Sequence, residues 1–320
     1  MRLDIRYRTV FEYEEPVRES QNELRACPIT DDRQQLIAYR VSTSPSARTL
    51  SFTDYWGTRV DAFGIREPHL RLEVLAEAAV ETSPRPPIST MPSLDALDDR
   101  GFRDMHGEYL ERSPHADWGQ RIRQEAERIV EMNGPDLVRT VLAMHGLVGA
   151  RLRYEPGTTD IGQPIEDVLA GGAGVCQDFA HLAVALCRSV GIPARYVSGY
   201  LFSRDDATGE IAGTGELVRV QTHAWFEAAI PGWGWLPLDP TNRLEVGFQH
   251  VKIGHGRDYD DVPPLRGTYS GRGSPSVDAS VEIRRMDPTR QPATLVQPSA
   301  PRALEARMLQ ERQQQQQQQQ

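Results

Sequence analysis

Cysteine is scarce in this sequence and long apolar runs are missing, and both shortages narrow what it can be. Cys27, Cys176 and Cys187 are the only cysteines among 320 residues. Three scattered thiols cannot build a disulfide framework and fit reduced side chains in a reducing compartment. The opening MRLDIRYRTVFEYEE is charged throughout and has no apolar h-region, so no signal peptide is expected. No apolar run approaches membrane-spanning length, and a cytoplasmic protein without a membrane partner is the expectation. Clustered positive charge is also lacking. The formal net charge is -9, which argues against general nucleic-acid or anionic-membrane binding. His250, His255 and Asp258, or His181 with Cys187, are metal ligands by type, yet no HExxH or CxxC spacing accompanies them, and neither a metal nor a cofactor is expected.

The most informative stretch is Gly171 to Tyr200, GGAGVCQDFAHLAVALCRSVGIPARYVSGY. Phe179, Ala180, Ala183, Leu186, Cys187 and Val190 recur at helical spacing, and Gly191 with Pro193 stops the pattern. Gly171, Gly172 and Gly174 read as a flexible approach, so Cys176 falls in the first turn of a helix. Unpaired N–H groups and the positive dipole end favour an anion there, lowering a thiol's pKa and offering donors to an oxyanion. Cys187 lies about three turns on along the same apolar face and reads as a core residue. His181, five residues after Cys176, points away from it and reads as packed or solvated.

Downstream, Thr222 to Ile230 alternates, with Ala224, Phe226, Ala228 and Ile230 on one face and His223, Trp225 and Glu227 on the other. The pattern is a strand whose inner face is core and whose other face lines a site. Pro231 to Gly234 is a turn, and Trp235 to Asp239 returns antiparallel, which places His223 opposite or diagonal to Asp239. Cys176, His223 and Asp239 are then a nucleophile, a base and an orienting carboxylate. The Cys176 N–H is one oxyanion donor; Gln163 and Gln177 are candidates by type for the second. Glu227 and Asp178 read as rim or supporting carboxylates.

GVCQDFAHLAVALCRSVGIPARYVSGY followed by HAWFEAAIPGWGWLPLDPTN resembles the core of the transglutaminase-like superfamily, in its bacterial transglutaminase-like cysteine peptidase branch. GRDYDDVPPLRGTYSG, Gly256 to Gly271, resembles the segment that follows in that branch, and the opening region resembles its N-terminal domain. The resemblance implies an α+β, papain-like fold, with a Cys helix packed on an antiparallel sheet and a Cys-His-Asp triad at Cys176, His223 and Asp239.

Along the chain, Leu3, Ile5, Tyr7, Thr9, Phe11 and Tyr13 alternate as a half-buried strand, and short strands follow near Leu36–Val41, Leu50–Phe52, Arg59–Gly64 and Leu70–Val74. Residues 1–81 are expected to form a small antiparallel β-sandwich-like domain, with Tyr7, Tyr13, Trp56 and His69 in packing roles. The Pro-, Ser- and Asp-rich segment 82–112 reads as a linker. The catalytic domain is expected over 113–285, with a helix opening at Ser113-Pro114, another at Pro135 and a short one from Gln163. Asp205 to Gly215 reads as a polar loop rimming the cleft, and 286–320, ending in Gln313 to Gln320, as a disordered Pro- and Gln-rich tail.

The expected function is acyl transfer from a peptide or protein amide. Water as acceptor makes the protein a cysteine peptidase or amidase, the reading favoured by the resemblance. A lysine amine makes it a transglutaminase, and a deamidase or a non-catalytic binding protein on the same fold are the remaining readings.

Overall fold

The computed structural model describes residues 1–160, 162–203, 213 and 215–286. Most of the expected cleft-rim loop, and the tail beyond Met286, lie outside the described residues. The first five strands are β1 (Arg2–Leu24), β2 (Gln34–Ser44), β3 (Thr49–Thr53), β4 (Arg59–Ile65) and β5 (His69–Thr82). Then come α1 (Arg100–His106), α2 (Gln120–Asn133), α3 (Leu137–Arg151), β6 (Arg153–Tyr154), α4 (Ile165–Gly171), β7 (Ala173–Gly174) and α5 (Cys176–Ser189). β8 (Ala194–Leu201), β9 (Leu217–Val220), β10 (His223–Ile230), β11 (Gly234–Asp239), β12 (Leu244–Glu245) and β13 (His250–Gly256) follow, and β14 (Leu265–Ser270) and β15 (Ser276–Arg285) finish the described chain.

β1 is the spine of the N-terminal β domain. Its alternation buries Leu3, Ile5 and Tyr7, and residues Leu3 to Glu12 pair antiparallel with β5 on one side and β15 on the other. Beyond that it changes partners and pairs with β4 and β14. The sheet therefore takes β9, β14 and β15 from chain that lies beyond α5. The pairings of β1 with β14 and β15 join residues more than 200 positions apart, which no local pattern reveals.

The second sheet is antiparallel, in the order β12-β11-β10-β8-β13. On one face, Phe226, Ala228, Ile230 and Leu238 share a core with Phe179, Ala183, Leu186 and Cys187 of α5 and with α2 and α3. Burying a side chain such as Phe226 there stabilises the fold by about 1.5–3 kcal/mol. On the other face, Tyr200, Phe202, Val251 and Ile253 join the core of the N-terminal domain. Every residue of β10 is buried, so on the face expected to line a site Trp225 and Glu227 lie in a second packed interior.

Two local expectations also change. The Ser113-Pro114 segment does not begin a helix; α2 starts at Gln120. The chain makes a tight turn there, with the Ala116 N–H on the Ser113 carbonyl at 3.0 Å, and tertiary bonds hold it: Arg188 Nη1 donates to the Glu111 carbonyl at 2.9 Å and to Ser113 Oγ at 3.3 Å, and the His115 N–H donates to Asp258 Oδ2 at 3.1 Å. Within 82–112, Leu97 is buried and Ile88, Leu94 and Phe102 pack on the helical core, so the segment is bound to that core along part of its length.

Candidate active site

α5 begins at Cys176 because its first turn is capped from within. Asp178 Oδ2 reaches back to accept the Val175 N–H at 2.8 Å and also accepts Thr159 Oγ1 at 2.7 Å, the return half of a capping box. The glycines before it are built into the turn and do not serve as a loose approach. Gly172, at φ +69°, closes α4 in the left-handed region, and a Cβ on Gly174 would sit 2.7 Å from Asp178 Oδ2. Gly174→Ala is expected to displace the Asp178 carboxylate and cost about 1–3 kcal/mol, read as a lower urea midpoint at unchanged slope.

The three thiols have different surroundings. Cys176 is half-buried, and its Sγ lies 4.0 Å from the carbonyl oxygen of Thr222, the residue before His223. Cys187 is fully buried with Sγ 3.7 Å from Met144 Sδ, and burial pushes its thiol up to about 12. Burial does the same to Cys27, also to about 12. All three are unpaired. Mild iodoacetamide treatment with peptide mapping is therefore expected to modify Cys176 and spare the others, since only a thiolate that reagent can reach reacts; preferential labelling of Cys27 or Cys187 would contradict this assignment.

The β10–β11 register pairs Phe226 with Leu238, which sets His223 diagonal to Asp239 as the hairpin pattern requires. His223 Nε2 stands 2.8 Å from Asp239 Oδ2, with both side chains buried. Burial disfavours the imidazolium, but the Asp239 carboxylate, with a further contribution from the neighbouring Cys176, outweighs it and holds His223 well above the ordinary histidine pKa. Burial likewise disfavours the Asp239 carboxylate, yet His223 and His250 outweigh that and hold it well below the usual range. The arrangement favours an imidazolium–carboxylate pair beside a thiol.

Asp239 is more elaborately held than the sequence pattern suggests. Its Oδ1 accepts the backbone N–H groups of Thr241 and Asn242 at 3.1 and 3.2 Å, and its Oδ2 accepts Asn242 Nδ2 at 2.8 Å. The DPTN turn is thus an Asx turn that orients the carboxylate. From α3, His145 Nε2 donates to the Asp239 carbonyl at 2.9 Å. From β13, His250 Nε2 lies 3.1 Å from Asp239 Oδ2. His145 and His250 lie outside the expected triad; His145 shows in the sequence only as a histidine within an apolar pattern, and His250 only as a metal ligand by type.

The other sequence candidates separate. Gln163 and Gln177 border the same small cavity, about 50 Å³, at the start of α5 beside Val175, Asp178 and His181. His181 is buried, stacked between His115 and Tyr196, and its Nε2 accepts the Tyr259 N–H at 3.2 Å. Asp258 caps a short 3-10 turn through the Asp260 N–H. Glu227 is not at the rim: it is buried against Arg195, at 2.6 Å, and Lys252, at 2.7 Å.

Among the described residues, His223, Asp239 and His250 bring three potential ligand atoms within 4.8 Å of one another, a donor set that zinc accepts. Their spacing is that of direct hydrogen bonds to one carboxylate oxygen. His250 Nδ1 accepts the Gly247 N–H at 3.2 Å, which leaves the ring proton on Nε2, and a protonated nitrogen donates and does not ligate. These residues fit a hydrogen-bonded set and not an ion.

The transglutaminase-like superfamily profile matches residues 123–240, spanning Cys176, His223 and Asp239, and the bacterial transglutaminase-like N-terminal region matches residues 3–81. An uncharacterized protein of Mycobacterium leprae is 39% identical over 285 residues, covering 89% of this chain and 99% of its own length. A protein-glutamine gamma-glutamyltransferase of Pseudomonas aeruginosa is 35% identical over 104 residues, 29% of this chain and 15% of its own. A crystal structure of a candidate cysteine protease from Cytophaga hutchinsonii shares the fold, with a TM-score of 0.72 at 23% identity, covering 92% of this chain and 93% of its own. By sequence and by fold, the chain belongs to the transglutaminase-like superfamily.

Proposed function

We propose that this protein is a thiol enzyme that takes the acyl group of a peptide or protein amide onto Cys176 and passes it to water. The observation that carries this reading is the meeting of Cys176, at the start of a 14-residue helix, with a buried His223–Asp239 pair 2.8 Å apart. His223 Nε2 is committed to Asp239, so Nδ1 is the nitrogen left to hold the thiol proton. Cys176 attacks the carbonyl as thiolate, the Cys176 N–H at the start of α5 serves the developing oxyanion, and the imidazolium gives its proton to the departing amine. Water, deprotonated by the same imidazole, then releases the acid. Asp239 fixes the ring and stabilises its cation throughout.

Transfer to an amine uses the same groups and differs only in the acceptor; the name of the Pseudomonas relative is the specific reason to keep it as a second reading. The two are separated by incubating the enzyme with a peptide library with and without a primary amine and following mass. Cleaved or deamidated products that are indifferent to added amine support hydrolysis, and amine-adducted products support transfer. Turnover that survives in Cys176→Ser would overturn both. The assay is clean because the chain's single lysine, Lys252, is 5% exposed and bound to Glu227.

A further inference from the structure

We infer that His250 is a positioning residue for the reaction: as a neutral imidazole it donates Nε2–H to Asp239 and so fixes the carboxylate plane on which His223 depends. This rests on the thiol chemistry proposed above and adds a residue outside the Cys-His-Asp set. The path of the chain explains how a residue of β13 reaches the end of β11, three strands away. β12 lies at one edge of the sheet and β13 at the other, so residues 246–249 must cross its face. Val246 packs on Trp225 and Val197 on the way, and Gly199 is needed beneath, since a Cβ there would fall 2.5 Å from the Trp225 ring. The crossing delivers His250 edge-on to Trp225, with centroids 5.4 Å apart and planes at 76°.

Both ring nitrogens are then specified: Nδ1 accepts from Gly247 and Nε2 donates to Asp239. The N-terminal domain holds the strand that follows. Gln34 accepts the Lys252 N–H and donates to the Lys252 carbonyl, each at 2.8 Å, and Thr82 Oγ1 donates to the Phe248 carbonyl at 2.5 Å. The charged groups facing His250 are Asp239, His223 and Arg33; burial first, with His223 and Arg33, outweighs Asp239 and lowers its pKa, which keeps it uncharged. Without this donor the buried Oδ2 keeps Asn242 and His223 but loses the partner that braces it from β13, so the Asx turn alone is left to set the carboxylate against His223.

The test is the pH profile of Cys176 alkylation by iodoacetamide in the full-length protein, for wild type, His223→Ala, His250→Phe and His250→Gln. His250→Phe is expected to slow alkylation near pH 6 roughly ten-fold, the scale of one hydrogen bond to a charged group, while leaving the rate above pH 9 unchanged. His250→Gln, whose Nε2 can stand in for the lost donor, is expected to recover most of the loss. A His250→Phe profile matching wild type overturns the inference alone, whereas a wild-type profile that His223→Ala does not alter removes the thiol reading and this inference with it. If His250→Phe fails to fold, imidazole 15N chemical shifts of the wild-type protein decide the point. A His250 protonated on Nε2 and bare on Nδ1 at pH 7 supports it, and a doubly protonated or Nδ1-protonated ring at that pH overturns it.

Discussion

His223→Ala is expected to lower turnover of amide substrates by roughly 10³-fold or more with the fold intact, because it removes both the proton acceptor and the cation that supports the thiolate. Cys176→Ser should be at least as damaging. Asp239→Asn should act differently: the amide leaves the Asx-turn geometry largely in place but withdraws the charge that holds His223 protonated, so turnover falls while Cys176 keeps much of its reactivity at high pH. If the two effects combine additively in the double variant, the residues are not acting as one unit, which would contradict the mechanism.

The largest expected loss of stability lies away from the thiol. Glu227, 2% exposed, accepts both Lys252 and Arg195, and Arg195 stacks over Trp235 at 3.9 Å. Glu227→Ala leaves two buried or half-buried cations without their carboxylate and is expected to cost about 3–5 kcal/mol. Glu227→Met with Lys252→Met should recover part of that, since an apolar pair of similar volume needs no desolvation. Both are read as urea midpoints. The pH dependence follows from the same groups. Glu227, despite burial, is held well below its ordinary 4.5 by Arg195 and Lys252, and Asp239 likewise below 3.8. Their stabilisation is therefore present above those ordinary values and is lost as pH falls toward the folded ones. Lys252 is pushed down from 10.5 to about 8 by burial and by Arg195, although Glu227 pulls the other way, so its contribution rises between about pH 8 and 10.5. His223, raised, contributes fully below 6.5 and loses that contribution as pH rises through its folded value. A stability profile rising as pH falls from 5 to 3 would contradict these assignments.

The site was legible in the sequence wherever chemistry and local periodicity coincide. Cys176 follows a glycine run and opens an apolar helix, while His223 and Asp239 sit on two arms of one short hairpin, so local rules bring them together. His250 and His145 reach Asp239 by a chain crossing and by helix packing, and local pattern carries no trace of either. Glu227 shows a related limit. Its alternation with His223 and Trp225 put it on the correct face of β10, but that this face is covered by the 246–249 crossing and the N-terminal domain is a tertiary fact. In the β domain, β1 was visible from its alternation, whereas its pairing with β15 joins the two ends of the described chain. The Ser113-Pro114 cap signal failed because Arg188 and Asp258 take up the backbone and side-chain groups that a helix start would have used.

Activation of Cys176 by His223 is read from the pH dependence of Cys176 alkylation in wild type and His223→Ala. A free thiol titrates near 8.5. The expected result is rapid alkylation already near pH ~6 in the wild type, from a thiolate–imidazolium pair, with that low-pH reactivity lost in His223→Ala. A single titration near the free-thiol value in both proteins would contradict the claim and leave the fold as a binding module.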